Sequence, residues 1–130
     1  MESVSKQALN LSNEEVELLC AGLRQWGGPA RPTKAFAAAM GFGSDKEMPN
    51  QCLAIHRSLR ADGLMSPLDW ARALVSLEIA FSSDLIGAGF EWSTSTGWSD
   101  EETIRALRSI QRKLAEVVFP VIRNGGLQAA

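Results

Sequence analysis

Apolar residues recur at helical spacing in five stretches of this chain, and no stretch alternates as a half-buried strand would. The first opens at the capping box Ser12-Asn13-Glu14-Glu15 and continues through Val16, Leu19, Cys20, Leu23 and Trp26. Serine and a third-position carboxylate satisfy each other's backbone amides there, and Gly27-Gly28-Pro29 stops the helix. A short second helix, capped by Thr33, carries Phe36, Ala37 and Met40 inward. A third spans about 48–62 with Cys52, Ile55 and Leu59 inward, or begins earlier at Ser44.

Ser66, Pro67 and Asp69 take the cap, first and third positions of a fourth helix. Trp70, Ala71, Leu74, Leu77, Phe81 and Leu85 give it so wide an apolar face that it belongs at the centre of a bundle, with Arg72, Ser76 and Ser83 as a thin polar stripe. A fifth starts at the box Ser99-Asp100-Glu101-Glu102 and runs through Ile104, Leu107, Ile110, Leu114 and Val117 until Pro120 kinks or ends it. Glu101/Arg105 and Arg112/Glu116, each four residues apart, give this last helix a solvated face. The pattern predicts an all-α, single-domain bundle of about five helices covering residues 1–130. Residues 1–11 and 125–130 are expected to be flexible tails, and a long loop should join the fourth helix to the fifth.

Composition fits that picture. The 130 residues are 45% hydrophobic and 22% charged, which suits one packed core rather than a disordered chain. A basic segment followed by an apolar run is missing from the first twenty residues, so the expected location is the cytoplasm. Cys20 and Cys52 fall on apolar helix faces, where cysteine acts as a small hydrophobe, and a single histidine without a CxxC pair leaves no zinc set of the usual kind. No cofactor motif and no metal site are expected, because phosphate loops, paired-histidine helices and nucleophile elbows are all absent. Charge is uneven: residues 23–60 hold six basic and two acidic groups, and residues 61–99 one basic and five acidic.

Candidate chemistry gathers in three places. The loop 87–98 combines glycines, a Ser/Thr run and the aromatics Phe90, Trp92 and Trp98, which either meet a ligand or plug the end of the bundle. Glu78 falls inside the apolar sector of the fourth helix, so it must pair with an arginine such as Arg105 or Arg108, or else line a pocket. Segment 33–62 has the outline of a helix-turn-helix in which Lys34, Asn50, Gln51, Arg57 and Arg60 would face nucleic acid. The stretched turn 42–48 and the acidic total weigh against that outline. His56, the lone histidine, is the natural general base if the protein is an enzyme, with Glu78 as its possible carboxylate, yet no residue at a fixed spacing completes a catalytic set.

These observations point first to a non-catalytic helical binding or regulatory module. It would engage a partner protein or small apolar ligand through Phe90, Trp92, Trp98 and Glu78. A DNA-binding regulator using segment 33–62 is the alternative, and no membrane partner is implied.

Overall fold

Ser12, Ser66 and Ser99 each accept a hydrogen bond from the backbone amide three residues on, at 3.1 Å, and each opens a long helix. The Ser12 and Ser99 amides donate in turn to the Glu15 and Glu102 carboxylates, so both capping boxes form. The computed structural model describes residues 2–128. Six α-helices are present among the described residues: α1 Asn13–Gln25, α2 Lys34–Ala39, α3 Met48–Arg60, α4 Pro67–Ser82, α5 Trp92–Thr96 and α6 Asp100–Arg123. The protein is an all-α domain, and none of these helices is long and apolar enough to cross a membrane.

As its wide apolar face requires, α4 lies between α1 and α6, while α3 covers the far side of α1. The α1–α4 approach depends on Gly22: a Cβ there would stand 2.7 Å from the Leu77 Cα, so only glycine lets the two backbones come so near. Trp26, Trp70 and Trp92 are fully buried, each with its indole N–H satisfied. Trp26 donates to the Ser76 carbonyl at 3.1 Å, Trp70 to the Val4 carbonyl at 2.8 Å, and Trp92 to Thr103 Oγ1 at 2.8 Å. The small helix α2 is held by its aromatic, since the Phe36 ring stacks on Trp26 with centroids 5.1 Å apart.

Several expectations need correction. Residues 4–11 are no loose tail: Val4–Ser5 (β1) pairs antiparallel with Leu64–Met65 (β2), and Lys6 Nζ bonds the Leu59 and Ala61 carbonyls. Two-residue strands are too short to leave an alternating signature, which is why the pattern missed them. Met1 and residues 129–130 lie outside the described residues, whereas Gly126–Gln128 makes a 3-10 turn against α2, α4 and α6. The helix α6 continues through Pro120 to Arg123, because the missing N–H and the ring fall on its exposed side.

On α4 the expected polar stripe is not a solvent face. Ser76 is fully buried, and Arg72 reaches across to the Met40 and Gly41 carbonyls at 2.9 Å. The buried face has absorbed small polar groups, and the edge left toward solvent contains Val75, Glu78 and Ser82 instead.

Candidate functional site

The stretch between α4 and α6 is folded rather than a long loop: Gly89–Glu91 makes a 3-10 turn that leads directly into α5. Gly87 and Gly89 serve close packing, and Gly97, at φ 80°, ends α5 as its left-handed cap. A Cβ at Gly87 would collide with the Ile79 and Ala80 carbonyls, and Gly89, at φ 49°, sits against Asp84. The turn is pinned at several points. Ala88 N–H donates to the Ala80 carbonyl at 2.7 Å, Arg31 N–H to the Ile86 carbonyl at 2.6 Å, and Phe90 N–H to Asp84 Oδ1 at 2.8 Å.

The three aromatics of this stretch separate. Trp92 points into the core, where Phe81 meets it edge-on at 5.5 Å. Trp98 is partly buried in a cleft of about 440 Å³ between the starts of α1 and α6, beside Glu14, Glu102, Arg105 and Lys113. Phe90 stands in solvent at 79% exposure, joined by Leu85 at 91%. Leu85 was expected inside, but α4 ends at Ser82, and Ser83 Oγ accepts the Leu85 and Ile86 amides at 3.2 Å to turn the chain outward.

Glu78 does not pair with Arg105 or Arg108. Gln111 Nε2 donates to Glu78 Oε2 at 2.6 Å, and Arg108 donates to Gln111 Oε1 at 2.9 Å, so the arginine reaches the carboxylate through an amide. Arg105 is held by Glu101 at 3.0 Å, while Arg112 and Glu116 form no ion pair among the described residues. Glu78 lines a surface groove of about 320 Å³ between α4 and α6, together with Phe81, Ser82, Ile104, Leu107 and Arg108. Ile104, expected in the core, is 48% exposed on its lip. Sequence reasoning thus found Glu78 and Phe90 and set Arg108 beside Glu78, though as a direct ion partner, but missed Leu85, Ile104 and Gln111. The helix-stopping pair Ser83-Asp84 was the available signal for Leu85.

The residues proposed for nucleic acid are dispersed. Arg60 grips Glu17 of α1 with both guanidinium nitrogens, which also holds the Glu17 carboxyl below its ordinary range. Gln51 accepts from the Gly43 amide at 3.1 Å, leaving Lys34, Asn50 and Arg57 exposed. The recognition-helix candidate α3 packs on α1, whereas α2 packs on the turn 126–128. Nor does the structure join the enzyme pair. His56 Nε2 lies 3.1 Å from Arg24 Nη1 on the α1–α3 side. Burial, with Arg24 and Arg60 nearby, lowers the pKa of this imidazole, and because a guanidinium can only donate, Nε2 is the acceptor of that hydrogen bond. Glu78 belongs to the α4–α6 groove.

Burial pushes the Cys52 thiol up to about 12, which makes it a core hydrophobe. No cluster of three or more metal-ligating side chains occurs among the described residues. Comparison with family models, with curated proteins and with solved structures finds no match to this chain.

Proposed function

We propose that this domain is a protein-interaction module whose contact surface is the α4–α6 groove with the turn that follows α4. The observation that carries the reading is a groove lined by Phe81, Leu107 and the half-exposed Ile104 beside Glu78, Arg108 and Gln111, with Leu85 and Phe90 exposed on the turn that follows α4. Large apolar side chains held in water on a hydrogen-bonded turn lose nothing when a partner covers them, and their burial is worth about 1.5–3 kcal/mol each. The backbone that presents them is already fixed, so little ordering opposes association. Glu78, Gln111 and Arg108 supply both an acceptor and a cation to set the register of an apolar helix or strand lying in the groove.

This revises the aromatic-loop site. Trp92 supports the surface from beneath, Trp98 serves a different cleft, and Phe90 alone of the three belongs to the contact face. The test is selection of amphipathic peptides from a displayed library, followed by chemical-shift mapping of the best binder. Shifts should concentrate at Leu85, Phe90, Ile104 and Gln111, and Phe90→Ser with Ile104→Ser should weaken binding at least tenfold. Shifts centred elsewhere, or no selected binder, would refute the surface.

A further inference from the structure

The helices α3 and α4 touch far less closely than α1 and α4 do, and between them lies a cleft of about 220 Å³ lined by Phe42, Gln51, Ala54, Ser58, Asp69 and Arg72. On α4, Asp69 and Arg72 are neighbours of opposite charge that do not close on each other. Asp69 Oδ1 stands 3.6 Å from Arg72 Nη1, beyond hydrogen-bonding reach. The guanidinium is anchored elsewhere: Nε donates to the Met40 carbonyl and Nη2 to the Gly41 carbonyl, each at 2.9 Å, and the group lies 5.2 Å over the Phe42 ring. Gly41, at φ 76°, leaves room for this, since a Cβ there would stand 2.6 Å from Nη2. Two carbonyls and a ring thus fix a positive charge, 17% exposed, with its Nη1 side unspent. The Asp69 carboxylate, the Gln51 Nε2 and the Ser58 hydroxyl likewise have no hydrogen bond among the described residues.

We infer that this cleft binds a small zwitterion, a free α-amino acid, with the ligand's carboxylate on Arg72 Nη1 and its ammonium on Asp69. The charges select the class. A simple anion drawn to Arg72 would lie against Asp69, and a simple cation drawn to Asp69 would lie against Arg72. A molecule carrying both charges on adjacent carbons closes a ring of alternating sign instead. Gln51 Nε2 and the Ser58 hydroxyl are further donors for the carboxylate. Phe42 and Ile55, each 6% exposed, give the lining an apolar part for the ligand's side chain. Size agrees, because pockets for drug-sized molecules run about 300–1,000 Å³ and this cleft, at about 220 Å³, suits a single amino acid. It shares no residue with the α4–α6 groove, so the two readings stand or fall separately.

Chemical-shift titration of the full chain with each of the protein amino acids in turn should find at least one that saturates with a Kd below about 1 mM. The shifts should centre on the amides of Gln51, Ser58 and Asp69 and on Arg72 Nε. The N-acetyl and carboxamide forms of that amino acid each lack one charge, and each should bind at least about tenfold more weakly. Asp69→Asn should cost about the same factor, and Ala54→Phe, which fills the cleft without touching a charge, should abolish binding. Both positions reach solvent, so each variant should melt within about 3 °C of the parent. If Ala54→Phe melts early, Asp69→Asn and the two derivatives still decide the matter. An N-acetyl form that binds as tightly as its parent would mean that only a carboxylate is read, and a carboxamide that does so would mean that only an ammonium is; either overturns the zwitterion. No saturating amino acid, shifts centred elsewhere, or binding unchanged in Asp69→Asn overturns the site.

Discussion

On the α1–α3 flank, Arg60 holds Glu17, Arg24 reaches His56, and Lys6 closes the end of α3 on two carbonyls, while Leu53 and Leu64 are exposed singly. On α6 and the turn after α4, Leu85, Phe90, Ile104, Phe119 and Ile122 are each exposed, and Arg112 and Glu116 have no ion partner within the described chain. The first flank has matched its polar groups to one another and left little apolar area to cover. The second is also partly matched, with Arg105 on Glu101 and Gln111 on Glu78, but it leaves more large apolar side chains in water, which is the condition in which a surface gains from a partner. Overall composition does not distinguish the two flanks. What separates them is how much large apolar surface each leaves in water.

The largest expected effect lies at the boundary between core and contact surface, two residues from Phe90. Trp92→Ala removes a fully buried indole, its edge contact with Phe81 and its bond to Thr103, and should cost about 3–5 kcal/mol in urea unfolding. A loss below about 1 kcal/mol would mean that the ring supports nothing, and that α5 belongs with the contact surface rather than beneath it.

Next comes Gly22→Ala, which tests the α1–α4 contact common to both flanks. A methyl placed 2.7 Å from the Leu77 Cα must push the helices apart, at about 2–3 kcal/mol. Helix propensity alone predicts the opposite sign, a gain of up to about 1 kcal/mol, so unfolding free energy decides whether the close approach exists.

Lys113→Met follows, at about 1–3 kcal/mol near neutral pH, because it strands a carboxylate. Glu15 is 5% exposed, and Lys113 Nζ donates to its Oε1 at 2.6 Å. Burial raises the Glu15 pKa, yet the hydrogen bonds from Lys113, Ser109 and the Ser12 amide outweigh it and leave the carboxyl below its ordinary value. A lowered folded pKa means that this contribution is complete above the unfolded value of about 4.5 and is lost as pH falls through the lower folded value. In the variant burial is opposed by fewer bonds. The deficit relative to the parent should therefore be greatest near pH 7 and shrink toward zero as acid protonates Glu15 in both. A deficit constant from pH 7 to about 3 would show that the ammonium contributes by packing alone.

How much of this was legible in the sequence follows from range. Ser12, Thr33, Ser66 and Ser99 act on amides three residues away, so the caps they mark are readable, and the helix periods give most of the core of α1, α3 and α4, though not Leu18 or Met48. The site depends on contacts at long separation. Nothing near Gln111 says that its amide meets Glu78, 33 residues earlier. Leu85 and Ile104 continue the apolar period of their helices, so the pattern placed them inside. Leu85 is exposed because α4 ends three residues too soon, and Ile104 because the neighbouring helix leaves a groove there. The glycines of 87–98 suggest mobility in the sequence, whereas Gly87 and Gly89 allow close backbone packing and Gly97 caps α5, a distinction that three-dimensional neighbours reveal.

The smallest effect on folding is expected where the largest effect on association lies. Leu85→Ser and Phe90→Ser remove side chains that are 91% and 79% exposed, so each should change the unfolding free energy by less than about 0.5 kcal/mol. The backbone bonds of the turn, from Ser83 Oγ and Asp84 Oδ1 to the amides of 85, 86 and 90, do not involve the replaced side chains and should persist. If these residues form a contact surface, peptide binding at the groove falls while the melting curve stays in place. If Phe90→Ser instead cost 2 kcal/mol or more, the ring would be packed on the domain in solution, and the contrast between the two flanks would narrow to Ile104, Phe119 and Ile122 on α6. Paired with Trp92→Ala, the measurement asks whether two aromatics two residues apart in sequence belong to different parts of the protein, one to its fold and one to its partner.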